Sequence, residues 1–329
     1  MILFAEILLT GKFSFMKKWI IALSVIVLCF IAVYAFIPNI MAVNSKAAIN
    51  NNPKGIYRAL TNINEWYKWW PGTYDSAKGE LKLNDNIYRY KGFTSSSVLM
   101  DIENPLFTVS ANVLMVADEM HTQNIFWNPV IPTSYNPVKR LRLYIAVNSL
   151  EKDLETILIS AQKFYTDTVN LYGIKINRDF VKDSSLIFTY DSSSGYPSTE
   201  KIYSLVDELR NYISIFSAKE VNSPMLNIYT EDSIHYLTRV AIPTNKPLPS
   251  SGKIAYKWML ANGNILTADV QGNSKKVDKA FTGIDNYVHD FELVSPAIPY
   301  YKLITNRLAE KDSTKWKTRI YYPVMYYKD

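Results

Sequence analysis

The chain has almost none of the residues from which disulfide frameworks and zinc sites are built. Its 329 residues include one cysteine, Cys29, and three histidines, His121, His235 and His289. A single cysteine excludes an intramolecular disulfide, and so few scattered ligands argue against a Cys/His zinc site. We therefore predict neither a metal centre nor a bound cofactor.

The glycine content and the fraction of charged residues are also low. The chain has 11 glycines and 20% charged residues against 48% hydrophobic residues, which excludes collagen-like, low-complexity and disordered chains. The formal net charge is +6, and the lysines and arginines are spread rather than clustered, so we predict no nucleic-acid partner. No spacing typical of a nucleophilic triad or a phosphate loop is present, and we predict no catalytic residues.

Residues 19–37 form a long uncharged run, WIIALSVIVLCFIAVYAFI. At ~1.5 Å per residue this run spans about 28 Å as a helix, close to the thickness of a bilayer's hydrocarbon core. Lys17 and Lys18 precede it, and no Lys or Arg follows until Lys46. By the positive-inside rule, residues 1–18 stay in the cytoplasm and the rest is exported. We therefore predict a single-pass cytoplasmic membrane protein whose C-terminal domains are extracytoplasmic.

Two alternatives stay open for this segment. A cleaved signal peptide also follows a basic stretch, but its apolar region usually runs only ~7–15 residues and ends at small residues. Here Tyr34, Phe36 and Pro38 stand at the end of the run. Met16 directly precedes the two lysines and is a second credible start, which would make residues 1–15 an upstream extension.

The first predicted domain covers residues 41–173. It opens with two short helices in NPKGIYRALTNINEWYKWWPG (52–72), and alternating apolar residues then predict antiparallel strands, one of them over 140–147. Helical spacing of apolar residues predicts one long helix after these strands. Its N-cap is Ser149, and Gly173 ends it.

The opening of this domain resembles that of SRPBCC domains, a START-like and polyketide-cyclase-like family. The family pattern is a strand, a helix and then "W..W.P", matched here by Trp66, Trp69, Trp70 and Pro71. The helix after Ser149 resembles the family's C-terminal helix. The resemblance implies a helix-grip fold with an internal pocket for an apolar ligand.

Residues 180–327 contain an internal duplication. Three short segments recur in the same order: IFTYD (187–191) as ILTAD (265–269), NYI (211–213) as NYV (286–288), and TRVAIP (238–243) as TRIYYP (318–323). A helix is predicted within each copy. The pattern predicts two βαββ repeats, about 184–245 and 254–326, sharing an antiparallel sheet with a groove at their pseudo-twofold axis.

This duplicated unit resembles the GyrI-like effector-binding domain, which is also found behind the DNA-binding domains of AraC-type and MerR-type regulators. The residues that carry the resemblance are DNYV at 285–288 and KWKTRIYYPV at 315–324. It implies a groove for amphiphilic, often cationic, small molecules. Many relatives have a Glu where this sequence has Tyr301. We therefore expect weak affinity for cations and a preference for neutral or mildly polar aromatic ligands.

Tyrosine is the residue type that the chain has in excess, with 24 copies. A tyrosine offers apolar area, a hydroxyl group and a ring face for cations. The predicted ligand-binding residues are four tyrosines on strands of the duplicated unit and one tryptophan: Tyr190, Tyr229, Tyr301, Tyr321 and Trp258.

The sequence therefore predicts an α+β protein in which a membrane helix precedes a helix-grip domain and a GyrI-like domain. The predicted function is to bind a small amphiphilic molecule at the membrane, as a sensor or a sequestering protein without catalysis. The enzyme hypothesis is a hydrolase or cyclase acting in one of two clefts, and a third hypothesis is a protein-interaction module with filled pockets. A buried carboxylate facing a pocket would favour the enzyme, and an open tyrosine-lined groove would favour binding.

The charge step at Lys17-Lys18 makes the topology testable. We expect alkaline phosphatase, which is active only outside the cytoplasm, to be active when fused after residue 329. A β-galactosidase fusion at the same position should be inactive. The opposite pair of activities would reverse the orientation.

Overall fold

The computed structural model describes residues 2–118, 121–230, 232 and 234–326, with side chains from Lys18 onward. Met1 and Tyr327, the ends of the first and last predicted segments, lie outside these residues. The chain divides into two compact units, 1–166 and 167–329. The fold is mixed α+β, with an apolar N-terminal helix and a large antiparallel sheet in each unit.

The first unit begins with the apolar helix α1 (Ile2–Phe36). Its segment from Lys18 to Phe36 is long and apolar enough to cross a membrane, with a mean hydropathy of 2.7. A signal sequence would share this length and composition. The structure thus confirms one long apolar helix at the position where the sequence predicts it.

The rest of the first unit is a seven-stranded antiparallel sheet, a two-stranded sheet and their helices. The elements are β1 (Ile40–Ala42), β2 (Ser45–Asn50), α2 (Pro53–Thr61), a 3-10 helix (Ile63–Lys68), β3 (Thr73–Asp75), β4 (Glu80–Leu83), β5 (Asn86–Phe93), β6 (Ser97–Asn104), β7 (Phe107–Ala117), β8 (Thr122–Trp127), β9 (Val130–Pro132) and α3 (Pro137–Tyr165). The strand order in the large sheet is β2-β8-β7-β6-β5-β4-β3, and β1 pairs with β9. The long helix α3 packs against β2.

The predicted strand over 140–147 is wrong, because these residues belong to α3. The observed cap, Asn136, lies thirteen residues before the predicted cap at Ser149. Its side chain accepts a hydrogen bond from the Lys139 amide at 3.0 Å, and Pro137 suits the first turn. Leu143 and Val147 are buried and continue the helical spacing back from Leu150. Apolar and polar residues do not alternate regularly in this segment, so its pattern does not distinguish a strand from a buried helix face.

The predicted end of the first domain at Gly173 also differs from the structure. The helix α3 ends at Tyr165, and Asp167 caps a separate short helix, α4 (Thr168–Tyr172), by accepting from the Val169 amide at 2.8 Å. Gly173 ends α4 with φ 74°, in the left-handed region that glycine favours. The chain therefore divides at Thr166/Asp167, and α4 belongs to the second unit.

Aromatic rings fill the space between the helices and the sheet of the first unit. Trp66 lies 4.8 Å from Trp69 and 6.0 Å from Trp70, measured between ring centroids. Trp70 in turn packs on Tyr88 at 5.1 Å, and Tyr88 packs on Trp127 at 5.6 Å. All five side chains are buried. The tryptophans of the "W..W.P" pattern therefore pack the core, where the resemblance implies an apolar pocket.

The described residues of the second unit form one eight-stranded antiparallel sheet, three α-helices and a short 3-10 helix. After α4 come β10 (Asn177–Phe180), β11 (Ser185–Ser194), α5 (Thr199–Ile215), β12 (Met225–Thr230), β13 (His235–Pro243), β14 (Ala255–Trp258), β15 (Asn264–Gln271), α6 (Ser274–Asp290), β16 (Tyr300–Leu303), a 3-10 helix (Ser313–Lys315) and β17 (Lys317–Pro323). The strand order is β10-β15-β17-β16-β12-β13-β11-β14. The order is symmetric about the junction of β16 and β12, so the two repeats meet there.

Each repeat has one more strand than the sequence predicts. The strand β10 precedes β11 in the chain, yet it pairs with β15 of the other repeat, and β14 precedes β15 but pairs with β11. The repeats are therefore ββαββ units that exchange their first strands across the sheet. The duplicated segments contain no sign of this exchange, because both edge strands lie outside the matched residues.

The short helix α4 is fixed to the second unit by a close backbone approach. A Cβ atom on Gly283 of α6 would lie 2.2 Å from the Tyr172 carbonyl oxygen, which only glycine permits. The Tyr172 ring is buried and packs on Tyr287 at 5.2 Å. These contacts explain why the unit begins before Gly173.

A buried ion pair lies on the sheet of the second unit. The Lys302 ammonium contacts the Asp183 carboxylate at 2.5 Å and lies 4.9 Å from the centre of the Tyr321 ring. The Lys302 side chain is only 3% exposed. Removing one partner of such a pair leaves a buried charge without its counter-charge, which costs more than removing both.

We expect Asp183→Asn to lower the free energy of unfolding by about 3–5 kcal/mol, because it leaves Lys302 buried without the carboxylate. The double variant Asp183→Asn, Lys302→Met should recover most of that loss. Urea unfolding of the detergent-solubilised chain, followed by tryptophan fluorescence, measures both. A double variant less stable than the single one would contradict this account of the pair.

Candidate functional site

A cavity of about 930 Å³ lies where the two repeats meet. The strands β12 and β16 pair over only two residues, Met225 with Lys302 and Leu226 with Tyr301. Beyond Leu226 the strand β12 continues to Thr230 without a partner from β16. The gap between the two strands opens the cavity, and its volume is typical of a small-molecule site.

The helix α6 forms one wall and supplies two carboxylates. Val277, Phe281 and the side chains of Asp278 and Asp285 line the cavity. The spacings of three and four residues put all four on one face of the helix. Asp285 accepts a hydrogen bond from the Tyr322 hydroxyl at 2.9 Å. Partial desolvation by the cavity walls raises the pKa of Asp278 above its ordinary value.

The sheet side of the cavity is held by a chain of hydrogen bonds. Arg239 of β13 donates to the Asn227 side chain at 2.9 Å, and Asn227 donates to the Pro299 carbonyl at 3.0 Å. This chain ties the free end of β12 to the segment before β16. The guanidinium group gives the sheet side a positive charge, opposite in sign to the α6 wall.

Five tyrosines complete the lining, namely Tyr196, Tyr229, Tyr236, Tyr301 and Tyr322. Burial raises the pKa of Tyr301 well above its ordinary value, and desolvation raises that of Tyr322 to about 12. Desolvation also raises the pKa of Tyr196. These three hydroxyls are protonated at neutral pH, so the negative charge of the described lining comes from Asp278 and Asp285.

The five predicted ligand-binding residues are not all at this cavity. Tyr229 and Tyr301 line it from opposite repeats. Trp258, which is mostly exposed, lines a second and more apolar cavity of about 380 Å³ together with Phe188 and Tyr300. Tyr190 is exposed on β11 and lines neither cavity. Tyr321 also lines neither, and its ring stacks on Tyr300 with centroids 5.1 Å apart.

The expectation of weak cation affinity, drawn from the tyrosine at position 301, stays a prediction, but two carboxylates do line the groove. That expectation rests on a strand position, whereas the two carboxylates come from α6. Their positions are visible in the sequence as a polar pair on the face of a helix whose neighbours Val277 and Phe281 are apolar. The duplication offers a further signal. When the repeats are aligned so that Asn211 matches Asn286, Tyr203 stands at the position of Asp278 and Arg210 at the position of Asp285.

At the corresponding place in the first repeat, that tyrosine is held by hydrogen bonds. Tyr203 is buried, accepts a hydrogen bond from the Arg307 amide at 2.9 Å and donates to the Thr305 carbonyl at 3.3 Å. Arg210 of the first repeat is paired with Glu220 at 2.9 Å. The two repeats therefore differ where the cavity lies, and the acidic wall belongs to the second repeat alone.

The described residues offer little for metal or nucleophilic chemistry. Among residues 2–118, 121–230, 232 and 234–326, no group of three or more His, Cys, Asp and Glu is placed to hold a metal ion. The large cavity has no cysteine, histidine or serine in its described lining. What the lining presents is ring faces, protonated hydroxyls, two carboxylates and one guanidinium.

No protein-family model and no curated protein matches the sequence. Similar solved structures include the EcmrR C-terminal domain, at 15% identity over 46% of this chain and 98% of that chain with a TM-score of 0.37. SAV2435 bound to tetraphenylphosphonium has 14% identity over 46% of this chain and 94% of that chain, with a TM-score of 0.33. The Zhui aromatase/cyclase from Streptomyces sp. R1128 has 10% identity over 38% and 94%, with a TM-score of 0.27.

Proposed function

We propose that this chain is a membrane-tethered protein that binds a small amphiphilic molecule in the cavity between its two repeats. The observation that carries the proposal is the 930 Å³ cavity with tyrosines on both repeats and an acidic helix wall. Tyrosine rings pack against aromatic groups, and the faces of these rings attract cations. The two carboxylates extend the predicted ligand class to amphiphiles that carry a positive charge or a strong hydrogen-bond donor.

The tether is the helix α1. Its segment Lys18–Phe36 has the length and hydropathy of a membrane span, and the two lysines before it favour a cytoplasmic N-terminus. In this proposal the two folded units, which we interpret as an SRPBCC-like and a GyrI-like domain, lie outside the cytoplasmic membrane. The protein then senses or sequesters amphiphiles at the membrane surface.

The enzyme hypothesis receives less support than binding. Carboxylates do face the cavity, but both Asp278 and Asp285 are solvent-exposed. The Asp285 carboxylate already accepts a hydrogen bond from the Tyr322 hydroxyl. A hydrolase or cyclase needs an activated group within reach of its substrate. Asp278, whose pKa is raised, is the residue that this second hypothesis would use as a general base. Turnover of an aromatic ester that Asp278→Asn abolishes would favour it.

We expect Asp278→Asn to weaken the binding of tetraphenylphosphonium about tenfold, because the carboxylate attracts the cation inside a partly desolvated cavity. Binding of neutral triphenylphosphine oxide should change little. Isothermal titration calorimetry of the full chain in detergent measures both. For the natural protein, cation affinity should also fall as the pH drops through the pKa of Asp278, because the protonated acid has no charge.

The matched control is Asp207→Asn, which removes an exposed carboxylate from α5 of the other repeat. This variant should bind the cation as the natural protein does. Equal cation affinity of Asp278→Asn and the natural protein would contradict the assigned role of the α6 wall. Equal losses in the Asp278 and Asp207 variants would show that only the overall charge matters.

A further inference from the structure

The first three turns of α3 expose a row of large apolar side chains. We call this row, Val138, Leu141, Tyr144 and Ile145, the α3 stripe; all four side chains are exposed. Their spacing of three and four residues places them along one flank of the helix. The opposite flank buries Leu143 and Val147 in the core of the first unit. The α3 stripe is therefore surface that the unit itself leaves uncovered.

The apolar character of this flank stops after Ile145. One to three turns further along α3, the exposed positions are polar, namely Ser149, Lys152, Glu155 and Thr156. A single exposed isoleucine, Ile159, follows near the end of the helix. The stripe is thus a local feature of the start of α3 and does not run along the whole helix.

The start of α3 lies at the end of α1. Arg140 is buried and donates from Nε to the Ile37 carbonyl at 3.1 Å, so it caps the last turn of the apolar helix. Its guanidinium group also lies 5.1 Å from the centre of the Tyr34 ring. The Tyr34 hydroxyl donates to the Tyr135 carbonyl, just before α3 begins. These contacts fix the α3 stripe beside the point where α1 ends.

Further contacts hold the same region without a flexible linker. The strand β1, three residues after α1, pairs with β9 from Ile40–Pro132 to Ala42–Val130. The Thr133 hydroxyl donates to the Asn39 carbonyl at 2.9 Å. Around this junction, other large apolar side chains are exposed as well: Phe36, Ile40, Val130 and Tyr135. Together with the α3 stripe, eight large apolar side chains of the first unit are therefore exposed around the end of α1.

Two basic residues flank the stripe on the same turns. Lys139 and Arg142 are exposed and lie on the side of α3 next to the apolar flank. An exposed apolar face bordered by Lys and Arg is typical of a helix that lies in the interface of a bilayer. Tyrosine, present here at Tyr135 and Tyr144, also favours that interface.

We infer that the start of α3 docks on the bilayer surface at the end of α1, with the α3 stripe in the headgroup–acyl boundary and the basic pair at anionic headgroups. The inference rests on the proposed membrane tether. Its support is continuity: α1 places the stripe at the bilayer, and Val138 and Ile145 are only about 11 Å apart along the helix, within reach of an interfacial layer. The docked face would orient the first unit on the membrane.

The test uses the full chain in nanodiscs, with a fluorescent NBD label on a single cysteine. Ile145→Cys and Ile159→Cys are made on a Cys29→Ala background. These two positions are matched, because both are exposed isoleucines of α3, at 62% and 59%. A third sample carries the label on the natural Cys29 within α1.

In nanodiscs that contain phosphatidylglycerol, we expect lipids with a doxyl group near the headgroup to quench the label at position 145 at least threefold more than the label at 159. Aqueous iodide should quench the label at 159 at least threefold more. Replacing Lys139 and Arg142 by Glu should reduce the doxyl quenching at position 145. The cysteine and glutamate changes are at exposed positions, which most folds tolerate.

The outcomes separate the inference from the tether. A label on Cys29 that iodide reaches would show that α1 does not span the bilayer, and the tether itself would fail. A protected Cys29 with equal iodide quenching at positions 145 and 159 would overturn the docking alone. Protection of position 145 from iodide without doxyl quenching would also overturn it, because a second copy or another protein surface, rather than lipid, would then cover the stripe.

Discussion

The short pairing between β12 and β16 is the constraint on which the candidate site depends. Antiparallel strands that paired along their whole length would close the sheet at the junction of the repeats. Here the ladder stops after Leu226 and Tyr301, and the Asn227 side chain bridges Arg239 to the Pro299 carbonyl just beyond it. Buried backbone and side-chain groups must find such partners. The Asn227 side chain is satisfied at the gap in this way, and the cavity follows from the short pairing.

Divergence between the repeats then gives this gap its chemistry. The same helix position carries Tyr203 in the first repeat, where its hydroxyl bonds the 305–307 segment, and Asp278 in the second repeat, where the carboxylate faces the cavity. A site with ring faces from both repeats and carboxylates on one wall suits an amphiphile.

The sequence predicted the elements that have strong periodicity. The apolar helix, the α5 and α6 helices and the pairing of duplicated strands around an axis all follow from spacing and self-comparison. The exchange of β10 and β14 does not follow from the sequence. The pairing partner of a four-residue edge strand depends on tertiary packing rather than on the residues of that strand. The sequence predicts a strand at the start of α3 for a similar reason: both faces of this segment carry apolar residues, one face buried in the core and one exposed.

The candidate site was predictable only in part. Tyr229 and Tyr301 line the cavity because strands near the pseudo-twofold axis must face it. The sequence does not single out Asp278 and Asp285, because the resemblance points to a strand position and the apolar residues of the opposite helix predict only its core face. Tyr190 lies on β11, two strands away from the gap. Tyr321 lies on β17, and its ring stacks on Tyr300 instead of lining the cavity.

Native mass spectrometry of the full chain, extracted from its own membrane, tests the central claim that the cavity between the repeats holds a small molecule. Thr282 is exposed on α6 and lines the cavity, so Thr282→Trp fills the space without disturbing the core. The account predicts that the natural protein retains one small amphiphilic molecule and that the Thr282→Trp variant does not. A natural protein without a bound molecule, or a variant that retains the same molecule, would contradict it.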